Sequence, residues 1–291
     1  MLEETNLADH LASKKMRRRY FLIGALVGAL ISAGVVVTAS LNNDSGDLEG
    51  YGDSGAEEAA CNVMGINLHG DVVTYAVPAE SGAENGGQQD QTASEDVVLA
   101  IRDADKDPQI KAILLEVESY GGYPVAGEEI AVALRSASKP TIAFIRQTGA
   151  SGAYLAATGA KIIFASKYSD VGGIGITMSY VDNTLKNQKE GLTYNVLSTG
   201  RFKDTGSPNK PLTAEERALL MRDLEIAHRD FVEDVAANRG LEISAVEKLA
   251  DGSTMPGEMV LEKGLIDRIG GMPEVEAYLA EKIGEKVVVC W

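Results

Sequence analysis

Pro140-Thr141-Ile142-Ala143-Phe144-Ile145 runs, through Arg146 to Ala150, into Ser151-Gly152-Ala153-Tyr154. The first six residues read as a buried strand, and Ser151 to Thr158 as a helix of small residues. A strand that feeds a helix is the repeating unit of α/β proteins, and the neighbouring sequence extends the pattern. Upstream, Lys111 to Val117 reads as a second buried strand. Val125 to Ser136 reads as a helix whose Glu128 and Glu129 lie near its positive end. Asp96 to Ala104 has helical spacing. Asn62 to Val73 alternates like a strand and turns at His69-Gly70-Asp71, and Lys161 to Ala165 is one more strand. Strands alternating with helices predict an α/β fold. Further on, Thr213 to Asn238 predicts a long helix, opened by a Thr213/Glu216 capping box and ended at Gly240. Its apolar stripe is Leu220, Leu224, Ala227, Phe231 and Val235. Ser244 and Glu247 suggest a second helix with the same box. Asp251-Gly252 breaks that helix, a short helix leads to Gly264, and Lys286 to Trp291 predicts a closing strand.

The chain has 291 residues and a formal net charge of −16, from 43 acidic and 27 basic side chains. That balance argues against nucleic-acid binding, which needs basic surface to neutralise phosphates. Two cysteines and three histidines exclude a dense disulfide scaffold or a Cys/His zinc site. Neither a metal nor any other cofactor is expected.

Charge is unevenly distributed. Residues 1–19 form a basic tail carrying Lys14, Lys15, Arg17, Arg18 and Arg19. Residues 20–39 contain no charge, and residues 40–61 contain six acids and no Lys or Arg. Twenty apolar residues make about 30 Å of helix, enough to cross a bilayer. Basic residues before the span and acidic ones after it fit the positive-inside pattern. The expectation is a cytoplasmic tail (1–19), a membrane anchor contacting lipid (20–39), an acidic flexible linker (40–61) and an extracytoplasmic domain (62–291). A cleaved signal peptide is the competing reading, with Val37-Thr38-Ala39 as its cleavage site, although the apolar run exceeds the usual length. Either reading puts the main domain outside the cytoplasm. Ser81 to Glu95 reads as a polar surface loop. Cys61 and Cys290 are one potential disulfide, with two isolated thiols as the alternative.

Candidate chemistry begins at Ser151. A serine at a strand-to-helix turn is most often a helix N-cap. Between small residues it can also be a nucleophile, because substrate can approach closely and nearby N–H groups can hold an oxyanion. An activated serine needs a base. His10 lies in the tail, and His69 and His228 have no triad-like surroundings and read as structural or surface residues. Lysine is the remaining type, and it serves only where burial lets it lose its proton. Lys203, in Gly200-Arg201-Phe202-Lys203, is one candidate, although most lysines are simply solvated. Ser119-Tyr120-Gly121-Gly122 after a buried strand can be a turn, or can aim a backbone N–H at a substrate carbonyl.

Taken in order, these segments resemble the bacterial signal peptide peptidase A family of membrane-anchored serine proteases, over roughly residues 62–272. The likeness rests on His69-Gly70, Ser119-Tyr120-Gly121-Gly122, Ala150-Ser151-Gly152-Ala153-Tyr154, Gly200-Arg201-Phe202-Lys203 with Ser207-Pro208, Ala250-Asp251-Gly252 and Gly264-Leu265-Ile266-Asp267-Arg268-Ile269-Gly270. It implies repeated ββα units of the Clp-protease/crotonase type and a homo-oligomeric, ring-like dome. It also implies Ser151 as nucleophile, Lys203 as general base, and the N–H groups of Gly121 and Gly152 as oxyanion donors. In the family the serine and lysine of one site can come from adjacent protomers. Three departures stand out: Tyr120 replaces a proline, Ala153 replaces a glycine and so crowds the site, and Gly173 replaces a serine that would hydrogen-bond the lysine.

The function implied is a membrane-tethered endopeptidase with a Ser/Lys dyad that cleaves remnant signal peptides or other short apolar peptides. The alternatives are a Ser/Lys protease devoted to one membrane protein and a catalytically silent oligomeric scaffold.

Overall fold

The computed structural model describes residues 61–76 and 90–291. The basic tail, the apolar span, the linker up to Cys61 and residues 77–89 lie outside the described residues. Among the described residues no helix is long and apolar enough to cross a membrane.

Strands and helices alternate as β1 (Val63–Val73), β2 (Gln91–Ala93), α1 (Ser94–Lys106), β3 (Ala112–Gly122), α2 (Pro124–Ser136), β4 (Thr141–Ala150), α3 (Ser151–Thr158), β5 (Ile162–Ala165) and β6 (Asp170–Gly172). Then come α4 (Thr184–Lys189), α5 (Ala214–Arg239), α6 (Ile243–Glu247), β7 (Thr254–Pro256), α7 (Gly257–Glu262), β8 (Arg268–Ile269), α8 (Met272–Ile283) and β9 (Val289–Cys290). The main path of the sheet is β2-β1-β3-β4-β5-β8, all parallel. Farther along β4, Thr148 to Ala150 pair with β6, whose other edge carries antiparallel β7. β9 pairs with the first residues of β1. The result is an α/β domain on a mixed sheet.

The central strands are apolar on both faces because both faces are covered. One face carries Ile113, Leu115, Val117 and Ile145 and packs on residues of α1, α2, α3 and α5. The other carries Ala112, Leu114, Ile142 and Phe144 and packs on Val275 and Leu279 of α8. The small residues of α3 have a steric reason. A β-carbon on Gly127 of α2 would lie 2.3 Å from the Gly152 carbonyl oxygen, and one on Gly159 would lie 2.2 Å from that of Ala131. Only residues with little or no side chain allow helices this close.

Several expectations need correction. The turn at His69-Gly70-Asp71 is a bulge inside β1, with Gly70 at φ 66° and the strand continuing to Val73. β3 and β4 run past Val117 and Ile145 because their ends find partners in β1 and β6. Gln91 to Glu95 are not loop but β2 and the first turn of α1. The Thr213/Glu216 capping box forms, and Gly240 closes α5 at φ 65°. The Ser244/Glu247 box does not: α6 begins at Ile243 after Glu242, without a side-chain cap. The closing strand is confined to Val289 and Cys290. Cys61 and Cys290 form a disulfide with Cα atoms 5.6 Å apart, tying the start of β1 to the end of β9.

Candidate active site

The site lies where β1, β3 and β4 reach their C-terminal ends, the usual location for ligands in parallel sheets. β4 ends at Ala150, and Ser151 begins α3. Ser151 is not the N-cap; that position belongs to Ala150. Ser151 has φ 52°, and among the described residues it is the one non-glycine residue with positive φ. Such a conformation costs a side-chain-bearing residue about 1–3 kcal/mol, and it lifts the serine out of the regular helix. The surrounding packing over-determines it. Tyr154 is fully buried, and its hydroxyl donates to the Leu265 carbonyl at 2.8 Å. That burial pushes the Tyr154 phenol up. Ala153 is also fully buried, so its methyl group faces the core and does not crowd the site, correcting the sequence expectation.

The turn of β3 comes up against the serine. A β-carbon on Gly121, which sits at φ 113°, would lie 2.7 Å from Ser151 Cβ and 3.0 Å from the Gly152 nitrogen. The structure therefore brings Ser151, Gly121 and Gly152 together. The motif that supplies Gly121 gave no sign of what Ser119 does. The buried Ser119 hydroxyl donates to the Gly70 carbonyl at 2.6 Å and accepts the Gly121 N–H at 3.0 Å. Ser119 thus pins this turn to the bulge of β1, and the Gly121 N–H is engaged within the protein. Ser119 heads the motif quoted from the sequence, but its bond to the Gly70 carbonyl was not legible there.

Two clefts of about 560 Å³ each flank Ser151 and share Tyr120, Ser151 and Thr177 in their walls. The first adds Gly173, Gly175, His228, Asp251 and Gly252, and the second adds Asp71, Gln91, Gly121, Tyr123 and Pro124. Asp251 accepts hydrogen bonds from the Ser253 hydroxyl (2.6 Å) and N–H (2.9 Å), which hold its carboxyl below the usual carboxylate range. Gly173, at φ 57°, comes close enough that a β-carbon there would lie 3.2 Å from the Ser151 nitrogen. A serine at this position would be strained and tight.

The histidines separate. His69 has its Nε2 3.3 Å from Glu116 Oε1 in a cluster with Arg146, outside both clefts, in keeping with a structural role. His228, which sequence spacing left as structural or surface, is partly buried on α5 and forms part of the first cleft's wall. Its position depends on a long-range packing of α5 that no local pattern encodes. Lys203 is exposed and lines neither cleft in the single chain.

A serine on a strained strand-to-helix junction, facing backbone glycines across an open cleft, is the arrangement of a serine hydrolase. Residues 133–286, which include Ser151 and Lys203, match the model of Peptidase family S49. The chain is 32% identical over 260 residues to a candidate protease of Methanocaldococcus jannaschii, covering 88% of this chain and 79% of that protein. It is 30% identical to a candidate signal peptide peptidase SppA of Enterococcus faecium, over 74% of this chain and 62% of that one. It is 33% identical to Protease 4 of Salmonella typhi over 72% of this chain, but spans only 34% of that protein's length. The chain belongs to peptidase family S49 and is a serine peptidase.

Proposed function

We propose that this chain is a membrane-tethered endopeptidase in which Ser151 is the nucleophile and Lys203 the general base, acting on remnant signal peptides or other short apolar peptides. The observation that carries this reading is the φ of 52° at Ser151, between Gly121 and Gly152. Ser151 Oγ attacks the scissile carbonyl while the neutral Lys203 amine takes its proton. The resulting ammonium then protonates the leaving amine, and water repeats the cycle on the acyl-enzyme. The Gly152 N–H at the start of α3 and the Gly121 N–H hold the oxyanion. For Gly121 this requires its bond to Ser119 to be shared or released.

Lys203 reaches the serine in a homo-oligomer, where it comes from a neighbouring copy. Its exposure in the single chain supports this, as do the apolar side chains exposed on the segment around it: Met178, Val181, Leu185, Leu192 and Leu197. An apolar surface of that kind marks an interaction face. The fold is of the Clp-protease/crotonase type, built from repeated ββα units. Residues 1–19 form the cytoplasmic tail, 20–39 the single membrane span, 40–61 the linker and 62–291 the extracytoplasmic peptidase domain. The Cys61–Cys290 disulfide supports that topology, because such bonds persist in oxidising compartments.

Mass-spectrometric mapping of a serine-reactive fluorophosphonate on the assembled protein tests the catalytic reading. Wild type should be modified at Ser151, and both Ser151→Ala and Lys203→Ala should not. Modification of neither wild type nor variants would leave the silent scaffold as the better description. A second base has one observation in its favour, since His228 shares a cleft with Ser151. Reaction that survives Lys203→Ala and is lost in His228→Ala would move the role to His228.

A further inference from the structure

We infer that the peptides cleaved here carry basic side chains beside the scissile bond, read by Asp71 and Asp251 and by the rings of Tyr120 and Tyr123. This deepens the proposed function and rests on Ser151 as the nucleophile. The two clefts on either side of Ser151 receive the substrate residues that flank the bond to be cut. Among the described residues, each cleft is lined by one formally charged side chain, and in both it is a carboxylate: Asp251 in the first, Asp71 in the second. In the single chain no Lys or Arg among them lines either cleft, and the Lys203 that a neighbouring copy brings acts as the neutral amine. Neither carboxylate is engaged in an ion pair among the described residues. The hydrogen bonds from Ser253 keep Asp251 anionic and aim it, and the chain as a whole is strongly acidic.

The aromatic rings favour the same substrates. Tyr120 is 78% exposed and belongs to both clefts, while Tyr123 is 66% exposed in the second. An exposed phenol ring gives the aliphatic stem of Lys or Arg a surface to lie on and its cationic head a π face. Tyr120 supplies such a surface beside Ser151. In a signal peptide, basic residues adjoin the apolar run at its leading end, so this preference directs cleavage toward that junction.

The test uses the full-length protein in detergent and three fluorogenic peptides that share one apolar centre. They differ only in carrying Lys, Gln or Glu at the residues flanking the cleaved bond. The expected order of kcat/KM is Lys, then Gln, then Glu, with about 3–5-fold per charged position at low ionic strength, shrinking as salt is raised. Asp71→Asn and Asp251→Asn should each lower the Lys-to-Glu ratio by about that factor. Tyr120→Pro should lower the Lys-to-Gln ratio, mainly through KM. Equal rates for the three peptides, or a ratio unmoved in both Asn variants, would overturn the charge reading. Fluorophosphonate modification of Ser151 in the same preparations keeps the two questions apart. A reactive Ser151 without charge preference leaves the peptidase reading standing and removes this one, whereas an unreactive Ser151 removes both.

Discussion

Ser151 is not the helix N-cap that its position suggests, and its positive φ makes it, under the proposed function, a residue at which stability and activity pull in opposite directions. Its positive φ suits glycine, so Ser151→Gly should be more stable to denaturant than Ser151→Ala by about 1 kcal/mol, while both lack activity. Urea titrations of the two variants measure the difference, and equal stabilities would mean the backbone there is not strained. Gly121 is constrained from the other side. Any β-carbon would press on Ser151 Cβ at 2.7 Å, so Gly121→Ala should lower kcat by about 100-fold or more, comparable to losing one oxyanion donor. A Gly121→Ala enzyme with near-normal kcat would show that the turn can move away without cost. The Ser119 anchor escaped notice in the sequence because hydroxyl-to-carbonyl bonds 49 residues apart leave no local signature.

At the level of elements, the sequence was most legible where periodicity and end signals agreed. Helix α5 has its Thr213/Glu216 box and Gly240, and both are realised; of its apolar stripe only Phe231 and Val235 are buried, while Leu220, Leu224 and Ala227 stay half-exposed. Helix α8 carried usable signals that went unread: Pro273 in its first turn, Gly284 just past its end, and Val275 and Leu279 one turn apart on the buried face. The short strands β6 and β7 were illegible, because three residues carry no period and exist only through their partners. The positions of Ser151, Gly121 and Gly152 were readable from motif order. The cleft wall formed by His228 was not, since it depends on how α5 folds back.

The start of α5 also has an acid-labile bond. Glu216 is buried and bonded to Lys210 and to the Thr213 N–H, and these contacts, the Lys210 bond foremost, pull its carboxyl from 4.5 down to about 2. A depressed carboxyl stabilises the folded state above its unfolded value, so this contribution should be complete above about pH 5 and lost as pH falls toward 2. Glu216→Gln should therefore be less stable at pH 7 and show a flatter stability profile from pH 5 to 2, followed by denaturation at each pH. A variant with the wild-type slope would assign acid sensitivity elsewhere. The disulfide acts at the sheet's edge. Cys61→Ser/Cys290→Ser should lose about 2–5 kcal/mol, and fluorescence of the single tryptophan, Trp291, next to Cys290, reports the transition.

On the scale of the whole molecule, Lys203 is exposed and lines neither cleft beside Ser151 in the single chain, so the proposed dyad requires assembly to join the two. A lysine base works only as the free amine, so turnover should climb with pH, and a profile flat from acid to alkaline pH would contradict that role. Mixed oligomers are equally informative. Ser151→Ala and Lys203→Ala subunits, each inactive alone, should recover part of the wild-type rate when unfolded and reassembled together, because some interfaces then pair an intact serine with an intact lysine. The most direct measurement is the rate at which a fluorophosphonate modifies Ser151 in the assembled wild type and in Lys203→Ala. A Ser/Lys dyad predicts rapid modification at Ser151 in the wild type and a loss of about 100-fold or more without the lysine. Modification at another residue, or an undiminished rate in Lys203→Ala, would contradict it.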